Sequence, residues 1–416
     1  MTENSMRRAV LVSIAESGSS VADCEKSLNE LERLLDTAGG VAAARVIQVK
    51  EKFDPRTCIG SGKVLEIKDI CSREGIDLII FDFELTPAQI RNIEDDIGLE
   101  VDVIDRSMLI LDIFAKNATS GEGKLQVQLA QLRYSAPRLI GKGTELSRQG
   151  GGIGSRGPGE SKLETDRRHV REKIASLEKR LEELEQNRLV MRAQRDRSGM
   201  CKVALVGYTN AGKSSLLNRL TDAGVLAENK LFATLDPTTR KLTLPGGDTA
   251  LLTDTVGFIN KLPHHLVKAF RSTLDEVSYA DVLVIVCDAG DPEVEEQLAV
   301  TQGVIADLGG ADKPTLIAYN KCDTADNLLG VSKEGAVRIS ALTGEGIDEL
   351  LLKIDELVHL TSRRLDLLIP YTEQNIVSSL YNSYTVNEVE YREDGIYVNA
   401  TLDGRGLGLY SKYIIE

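Results

Sequence analysis

Short apolar runs and amphipathic stretches take turns along the first hundred or so residues. Ala9-Val10-Leu11-Val12 reads as a strand and 21–37 as a helix; Val46-Ile47-Gln48-Val49 is a second strand and 63–74 a second helix. Asp77-Leu78-Ile79-Ile80-Phe81 is a buried strand. Thr86 caps a helix that runs to about 98, Val101-Asp102-Val103-Ile104 is a further strand, and 106–118 a further helix. Strand and helix in alternation imply a parallel α/β layer over 1–120.

The texture then changes. Leu125, Leu129, Leu132, Ala136 and Leu139 recur at heptad spacing, and Val170, Ile174, Leu177, Leu181 and Leu184 repeat it. Two such helices over 121–200 pack as an antiparallel hairpin, with Pro137 ending or kinking the first. Between them, at about 140–160, the glycines of Gly141-Lys142-Gly143 and Gly150-Gly151-Gly152-Ile153-Gly154-Ser155-Arg156-Gly157-Pro158-Gly159 are too dense for a packed element and predict a long loop. A second α/β pattern occupies 201–361. The tail, 362–416, has a helical stretch near 373–382 and strand-like runs at 386–391, 396–401 and 409–415, which predict a small α+β domain.

A chain of 416 residues matches this multidomain division. Tryptophan is absent and aromatics are few, which argues against stacking platforms for single-stranded nucleic acid. A net charge of −14 excludes uniform adhesion to nucleic acid but not a local basic patch. Residues 138–163 form one: Arg138, Lys142, Arg148, Arg156 and Lys162 stand against Glu145 and Glu160. From charge alone, an RNA-facing loop and a merely solvated one are equally good readings. The cysteines, Cys24, Cys58, Cys71, Cys201, Cys287 and Cys322, form no CxxC pair, so reduced thiols and no zinc site are expected. Met1–Val12 lacks a secretory core, no apolar run nears the ~20 residues of a membrane span, and Ser411–Glu416 carries no lipidation signal. A cytoplasmic protein without a membrane anchor is expected, and nothing demands more than a monomer.

The chemistry lies in the second α/β pattern. The strand Lys202–Val206 runs into Gly207-Tyr208-Thr209-Asn210-Ala211-Gly212-Lys213-Ser214 and the helix Ser215–Leu220, which is GxxxxGK[ST] in the strand–loop–helix setting it requires. Gly207 and Gly212 let the backbone curl so that its amides face phosphates, and the helix N-terminus adds positive potential. Lys213 reaches the β- and γ-phosphates and Ser214 holds Mg²⁺. Leu251-Leu252-Thr253-Asp254-Thr255-Val256-Gly257 places an acidic residue at a strand end for indirect Mg²⁺ binding, with the Gly257 amide sensing the γ-phosphate. The strand Thr315–Tyr319 ends in Asn320-Lys321-Cys322-Asp323. Asp323 accepts from guanine N1–H and its exocyclic amine; adenine lacks that donor pair and would leave the carboxylate unpaired. In Ile339-Ser340-Ala341-Leu342, the Ala341 amide is placed to donate to guanine O6. A switch segment belongs in Phe232-Ala233-Thr234-Leu235-Asp236-Pro237-Thr238-Thr239-Arg240, but spacing leaves open whether Thr234, Thr238 or Thr239 completes the Mg²⁺ shell.

Phe258 follows Gly257, where many small GTPases carry a water-positioning Gln. A phenyl ring cannot orient water, so slow intrinsic hydrolysis accelerated by a partner is expected, whether or not the ring also packs in the core. Asn210 either makes the loop turn or, as in some GTPases without that Gln, helps hold K⁺ near the phosphates. Gly60-Ser61-Gly62-Lys63 lacks the full loop spacing and reads as a helix start, although a second nucleotide site there stays open.

Outside the nucleotide motifs stand Ile59-Gly60-Ser61-Gly62-Lys63, Asp105-Arg106 through Ile113-Phe114, Gln126-Val127-Gln128-Leu129-Ala130-Gln131-Leu132, and Gly150 through Gly159-Glu160-Ser161-Lys162-Leu163-Glu164-Thr165-Asp166-Arg167-Arg168. With these, nearly the whole chain resembles the HflX family of ribosome-associated GTPases. The resemblance implies an N-terminal α/β domain, a helical hairpin, a GTPase domain and a small C-terminal domain. It implies binding to the large ribosomal subunit, with the hairpin and its loop meeting ribosomal RNA, and the splitting of stalled or idle ribosomes under stress; the alternative is a GTPase of ribosome assembly or RNA maturation. It also implies Thr234 as the switch threonine on Mg²⁺. A signalling or membrane-trafficking GTPase would expect the missing anchor, and the intact Lys213, Ser214, Asp254 and Asp323 argue against a vestigial site.

Overall fold

The computed structural model describes residues 6–16, 20–98, 100–139, 158–196, 200–221, 231–232, 236–261, 271–324, 335–403, 406 and 409–415. They fall into two compact units, the first drawn from the described residues up to Leu181.

The first unit begins with β1 (Arg7–Ala15), α1 (Val21–Ala38), β2 (Gly40–Val49), α2 (Ser61–Glu74), β3 (Leu78–Phe81), α3 (Pro87–Ile97), β4 (Asp102–Asp105) and α4 (Arg106–Asn117). The strands form one parallel sheet in the order β2-β1-β3-β4. β1 is buried from Ala9 to Ala15 on both faces, as a parallel strand covered by helices must be. Helix starts follow local chemistry: Ser20 and Asp23 form a capping box on α1, and Thr86 and Gln89 form one on α3 with Pro87 in its first turn. The strand expected at 46–49 starts earlier, at Gly40. Ala42, Ala43 and Ala44 carry no β-branched signal, and pairing with Arg7–Val10 of β1 holds them extended.

Gly60 is the N-cap of α2, as the helix-start reading expects, and its amide donates to Gln48 Oε1 at 2.9 Å. Lys63 pairs with Glu66 at 2.8 Å. The Asp105-Arg106 pair is buried. Asp105 accepts from the Leu85 amide at 3.2 Å, the Met108 amide at 3.0 Å and the Tyr134 hydroxyl. Arg106, 2% exposed, is clamped between Asp82, at 2.7 Å, and Glu30.

α5 (Gly121–Leu139) and α6 (Pro158–Asp196) carry the heptads, and Pro137 sits two residues before the end of α5. From Val170 to Leu184 the five heptad positions are the ones withdrawn from solvent, with Leu177 buried. Arg133 of α5 pairs with Glu178 of α6 at 2.6 Å. Tyr134 and Gln131 also tie α5 to the first sheet, through Asp105 and through Asp112 of α4. The glycine-rich basic stretch at 140–157 lies outside the described residues.

The second unit holds a six-stranded sheet: β5 (Lys202–Gly207), α7 (Lys213–Thr221), β6 (Thr238–Thr243), β7 (Thr249–Asp254), α8 (Arg271–Tyr279), β8 (Val282–Asp288), α9 (Val294–Asp307), β9 (Thr315–Asn320), β10 (Val337–Arg338) and α10 (Ile347–Thr361). Its order is β10-β9-β8-β5-β7-β6, parallel except for β6 against β7, so the sheet is mixed and mostly parallel. In such sheets ligands gather beyond the carboxyl ends of the strands.

β11 (Ser362–Ile369) follows α10 without a linking residue, then come α11 (Asn375–Ser383), β12 (Thr385–Arg392), β13 (Gly395–Asp403) and β14 (Ile414–Ile415). They form a sheet ordered β12-β13-β11-β14 over a core of Leu367, Ile369, Leu380, Val398 and Leu402. The strand expected over 409–415 is confined to Ile414–Ile415, because Ser411–Tyr413 forms a 3₁₀ turn, and β11 went unpredicted. Among the described residues no helix is long and apolar enough to cross a membrane, and all six cysteines are free thiols, five of them buried.

Candidate nucleotide site

β5 delivers its last residue, Gly207, into the loop that ends at α7. Gly207, Asn210 and Gly212 adopt φ of 149°, 61° and 94°. A Cβ on Gly207 would fall 2.2 Å from the Val286 carbonyl oxygen, and one on Gly212 would fall 2.2 Å from Asn320 Nδ2, so both positions exclude side chains. Asn210 takes the left-handed turn conformation that asparagine tolerates. Lys213, the first residue of α7, is buried, and its Nζ donates to the carbonyls of Gly207 at 3.1 Å and Tyr208 at 2.8 Å. Burial pulls its pKa down to about 8, against the opposing charge of Asp254.

Ser214 Oγ donates to Asp254 Oδ2 at 2.6 Å, across from the end of β7. Asp254 is fully buried, and its Oδ1 has no hydrogen-bond partner among the described residues. Burial pushes its carboxyl pKa upward, while Lys213 and Ser214 pull the other way. A serine hydroxyl beside a buried carboxylate with an unused oxygen is a hard-oxygen donor set suited to Mg²⁺. Thr234, with Ala233 and Leu235, lies outside the described residues; Phe232 is buried with φ 55°.

Asp254 leads through Thr255 and Val256 to Gly257, whose added Cβ would lie 2.7 Å from Thr209 Cα and 2.9 Å from Lys213 Nζ. Phe258 then pairs with the loop through its main chain. Its amide donates to the Gly207 carbonyl at 3.0 Å, and its carbonyl accepts from the Thr209 amide at 2.8 Å. Its ring, 1% exposed, is part of the core. The Asn260 amide donates to the Tyr208 hydroxyl at 2.6 Å. The 258–260 segment thus meets the loop through the Phe258 main chain and through the Tyr208 hydroxyl.

Asn320 ends β9 and joins three pieces. Its Nδ2 donates to the Ala211 carbonyl, and its Oδ1 accepts from the Ala341 amide, both at 2.9 Å. The amide expected on guanine O6 is therefore engaged by Asn320. Asp323 Oδ1 accepts from Ser340 Oγ at 2.5 Å. Lys321, at φ 63°, pairs with Asp288 Oδ2 at 2.8 Å, and Cys322 Sγ donates to the Tyr319 carbonyl. Burial raises the Cys322 thiol pKa. Leu342 is 80% exposed. The loop (Gly207 to Ser214), the Asp254–Gly257 segment, Asn320–Asp323 and Ser340–Ala341 thus share connected hydrogen bonds and close contacts.

Sequence reading missed two holders. Asp288 carries a faint signal, as the acidic residue closing the apolar run Val282–Cys287. Arg219 carries none; its Nε donates to the Ala341 carbonyl at 3.2 Å and its Nη2 to the Leu342 carbonyl at 2.7 Å.

The chain matches four family profiles: GTP-binding GTPase N-terminal over 25–115, GTP-binding GTPase Middle Region over 117–195, 50S ribosome-binding GTPase over 202–321, and HflX C-terminal domain over 329–405. It is 49% identical over 396 residues to GTPase HflX of Lacrimispora saccharolytica, covering 94% of this chain and 93% of that one. The corresponding protein of Caldanaerobacter subterraneus subsp. tengcongensis is 47% identical over 393 residues, covering 94% and 90%. That of Escherichia coli K12 is 42% identical over 377 residues, covering 89% and 88%. A solved GTP-binding protein of Sulfolobus solfataricus in complex with GDP is 25% identical and covers 85% of this chain and 99% of that one; its TM-score of 0.43 is too low to bear on the site.

Proposed function

The chain belongs to the HflX family of GTPases, and from that premise we propose that it acts on the large ribosomal subunit, dissociating stalled or idle ribosomes under stress, with hydrolysis that is slow until the ribosome stimulates it. What supports this most is Phe258. Its ring belongs to the core and its main chain to the phosphate loop, so this position supplies no group to orient a water.

In this reading Lys213 reaches the β- and γ-phosphates, the amides of Tyr208–Ser214 line them, and the Gly257 amide donates to the γ-phosphate. Ser214 and Thr234 hold Mg²⁺, with Asp254 behind Ser214; the ion neutralises charge developing on the phosphoryl oxygens. Asp323, held by Ser340, reads guanine N1–H and its amine, while the Ala341 amide is shared between Asn320 and O6. Asn210 makes the turn and helps hold K⁺; equal turnover in Na⁺ and K⁺ would remove that cation. The basic glycine stretch at 140–157 meets ribosomal RNA, whose phosphates favour local positive charge. The protein works as a cytoplasmic monomer.

Turnover with and without ribosomes, paired with sedimentation in a non-hydrolysable GTP analogue, tests the reading. The chain alone should turn over GTP near the intrinsic small-GTPase scale of roughly 10⁻⁴ s⁻¹, and a rate of about 1 s⁻¹ or more would sink it. Deleting 143–157 should spare nucleotide binding and remove ribosomal stimulation. Cosedimentation with immature subunits alone would favour assembly or RNA maturation instead.

A further inference from the structure

We propose that Arg219, on the phosphate-binding helix, is a positioning residue for guanine recognition; this rests on the reading that 340–342 meets the base. α7 begins at Lys213 beside the phosphate loop, and Arg219 lies in its last turn. There its guanidinium donates to two successive carbonyls, those of Ala341 and Leu342. These belong to the two peptide planes that follow the Ala341 amide. Each plane is rigid, so holding both limits how that amide points.

Asn320 Oδ1 accepts from the Ala341 amide at 2.9 Å and Ser340 is buried behind it, while the carbonyl side of the turn lies beyond these holds. Leu342 is 80% exposed, and Thr343 and Glu345 are exposed as well, so the apolar burial that holds Ala341 stops there. Its own bonds, Thr343 amide to Ser340 Oγ and Gly344 amide to the Ser340 carbonyl, close it upon Ser340. Arg219 carries the link from the turn to α7. Gly344, at φ 94°, passes the guanidinium so closely that an added Cβ would lie 3.1 Å from Nη2. A planar fork with two donors suits two adjacent carbonyls, whereas a lysine ammonium replaces that geometry with a point charge.

The test compares GTP with 2-aminopurine riboside triphosphate, which keeps the phosphates but lacks O6 and the N1 proton. Binding to the full-length chain is measured by competition against a fluorescent guanine nucleotide. Arg219→Ala should weaken GTP about tenfold, the scale of one net hydrogen bond, and the analogue less than about twofold. KM for GTP should rise while kcat at saturation changes less than about twofold, and Arg219→Lys should be intermediate. Equal losses for both nucleotides, or a wild-type ratio in Arg219→Ala, would overturn the inference. If the wild type itself binds both equally, the base-site reading fails instead. If Arg219→Ala does not fold, Arg219→Lys decides: an intermediate ratio supports the role and a wild-type ratio overturns it.

Discussion

The parallel first sheet and the mixed second sheet each contain a strand followed by a glycine turn and a helix bearing an early lysine, yet they treat polar groups in opposite ways. After β2, the Gly60 amide is taken by Gln48 and Lys63 lies on a surface pair with Glu66. The charge buried beside that sheet, Arg106 at the start of α4, is neutralised on two sides by Asp82 and Glu30. After β5, Lys213 is buried on carbonyls, and Asp254 Oδ1 and Thr209 Oγ1 are buried without hydrogen-bond partners among the described residues. An unused buried acceptor costs stability unless something else meets it. The first arrangement meets its buried charge with two carboxylates, while the second leaves a carboxylate oxygen and a hydroxyl buried beside the loop. That difference separates a glycine-lysine helix start from a phosphate loop more firmly than the letters do.

The comparison breaks most visibly at the two lysines. Lys213→Ala should weaken GTP by about a thousandfold or more, because it removes charge-assisted bonds of roughly 1.5–3 kcal/mol each, and should leave the circular dichroism spectrum native. Lys63→Ala should move GTP affinity less than about twofold; a comparable loss there would mean that the sheets are not so different. Next in size is Arg106→Met. It strands Asp82 and Glu30 and should cost the first unit about 3–5 kcal/mol in a urea melt, with GTP affinity retained. A loss under about 1 kcal/mol would show that the cluster is wet and not a sealed charge.

The smallest effect concerns Cys58, whose thiol is pushed up to about 11 mainly by burial, with Asp54 adding to it. Above pH 9 the unfolded chain releases this proton and the folded chain does not. Stability should therefore fall as pH rises from about 9 to 11, by an amount of order 1 kcal/mol. Urea midpoints at pH 8.5 and 10.5 should differ less in Cys58→Ala than in the wild type. An unchanged difference would show that the thiol adds nothing to it.

What was legible followed from how local each signal is. Residues 202–214 declare themselves because strand, glycines and lysine act within one turn of chain, and Asn320–Asp323 for the same reason. β11 was hidden because Thr361 ends a helix and Ser362 begins a strand with no glycine or proline between them. The first half of β2 was hidden because alanines take their conformation from the neighbouring strand. Asp105-Arg106 stood out as a signature, but its meaning depends on Glu30 and Tyr134, far away in sequence. Arg219 was invisible because it binds carbonyls 122 and 123 residues on, and every residue has a carbonyl.

Phe258 carries a lesson about information. Its bonds to the phosphate loop run through its amide and carbonyl, so they would survive any side chain that kept the backbone in place. The letter written there reports the volume of a hole in the core as well as a side chain that orients no water. A survey of substitutions at 258 would therefore sort residues by size, while the pairing with the phosphate loop stays in the backbone, where no alphabet of side chains records it.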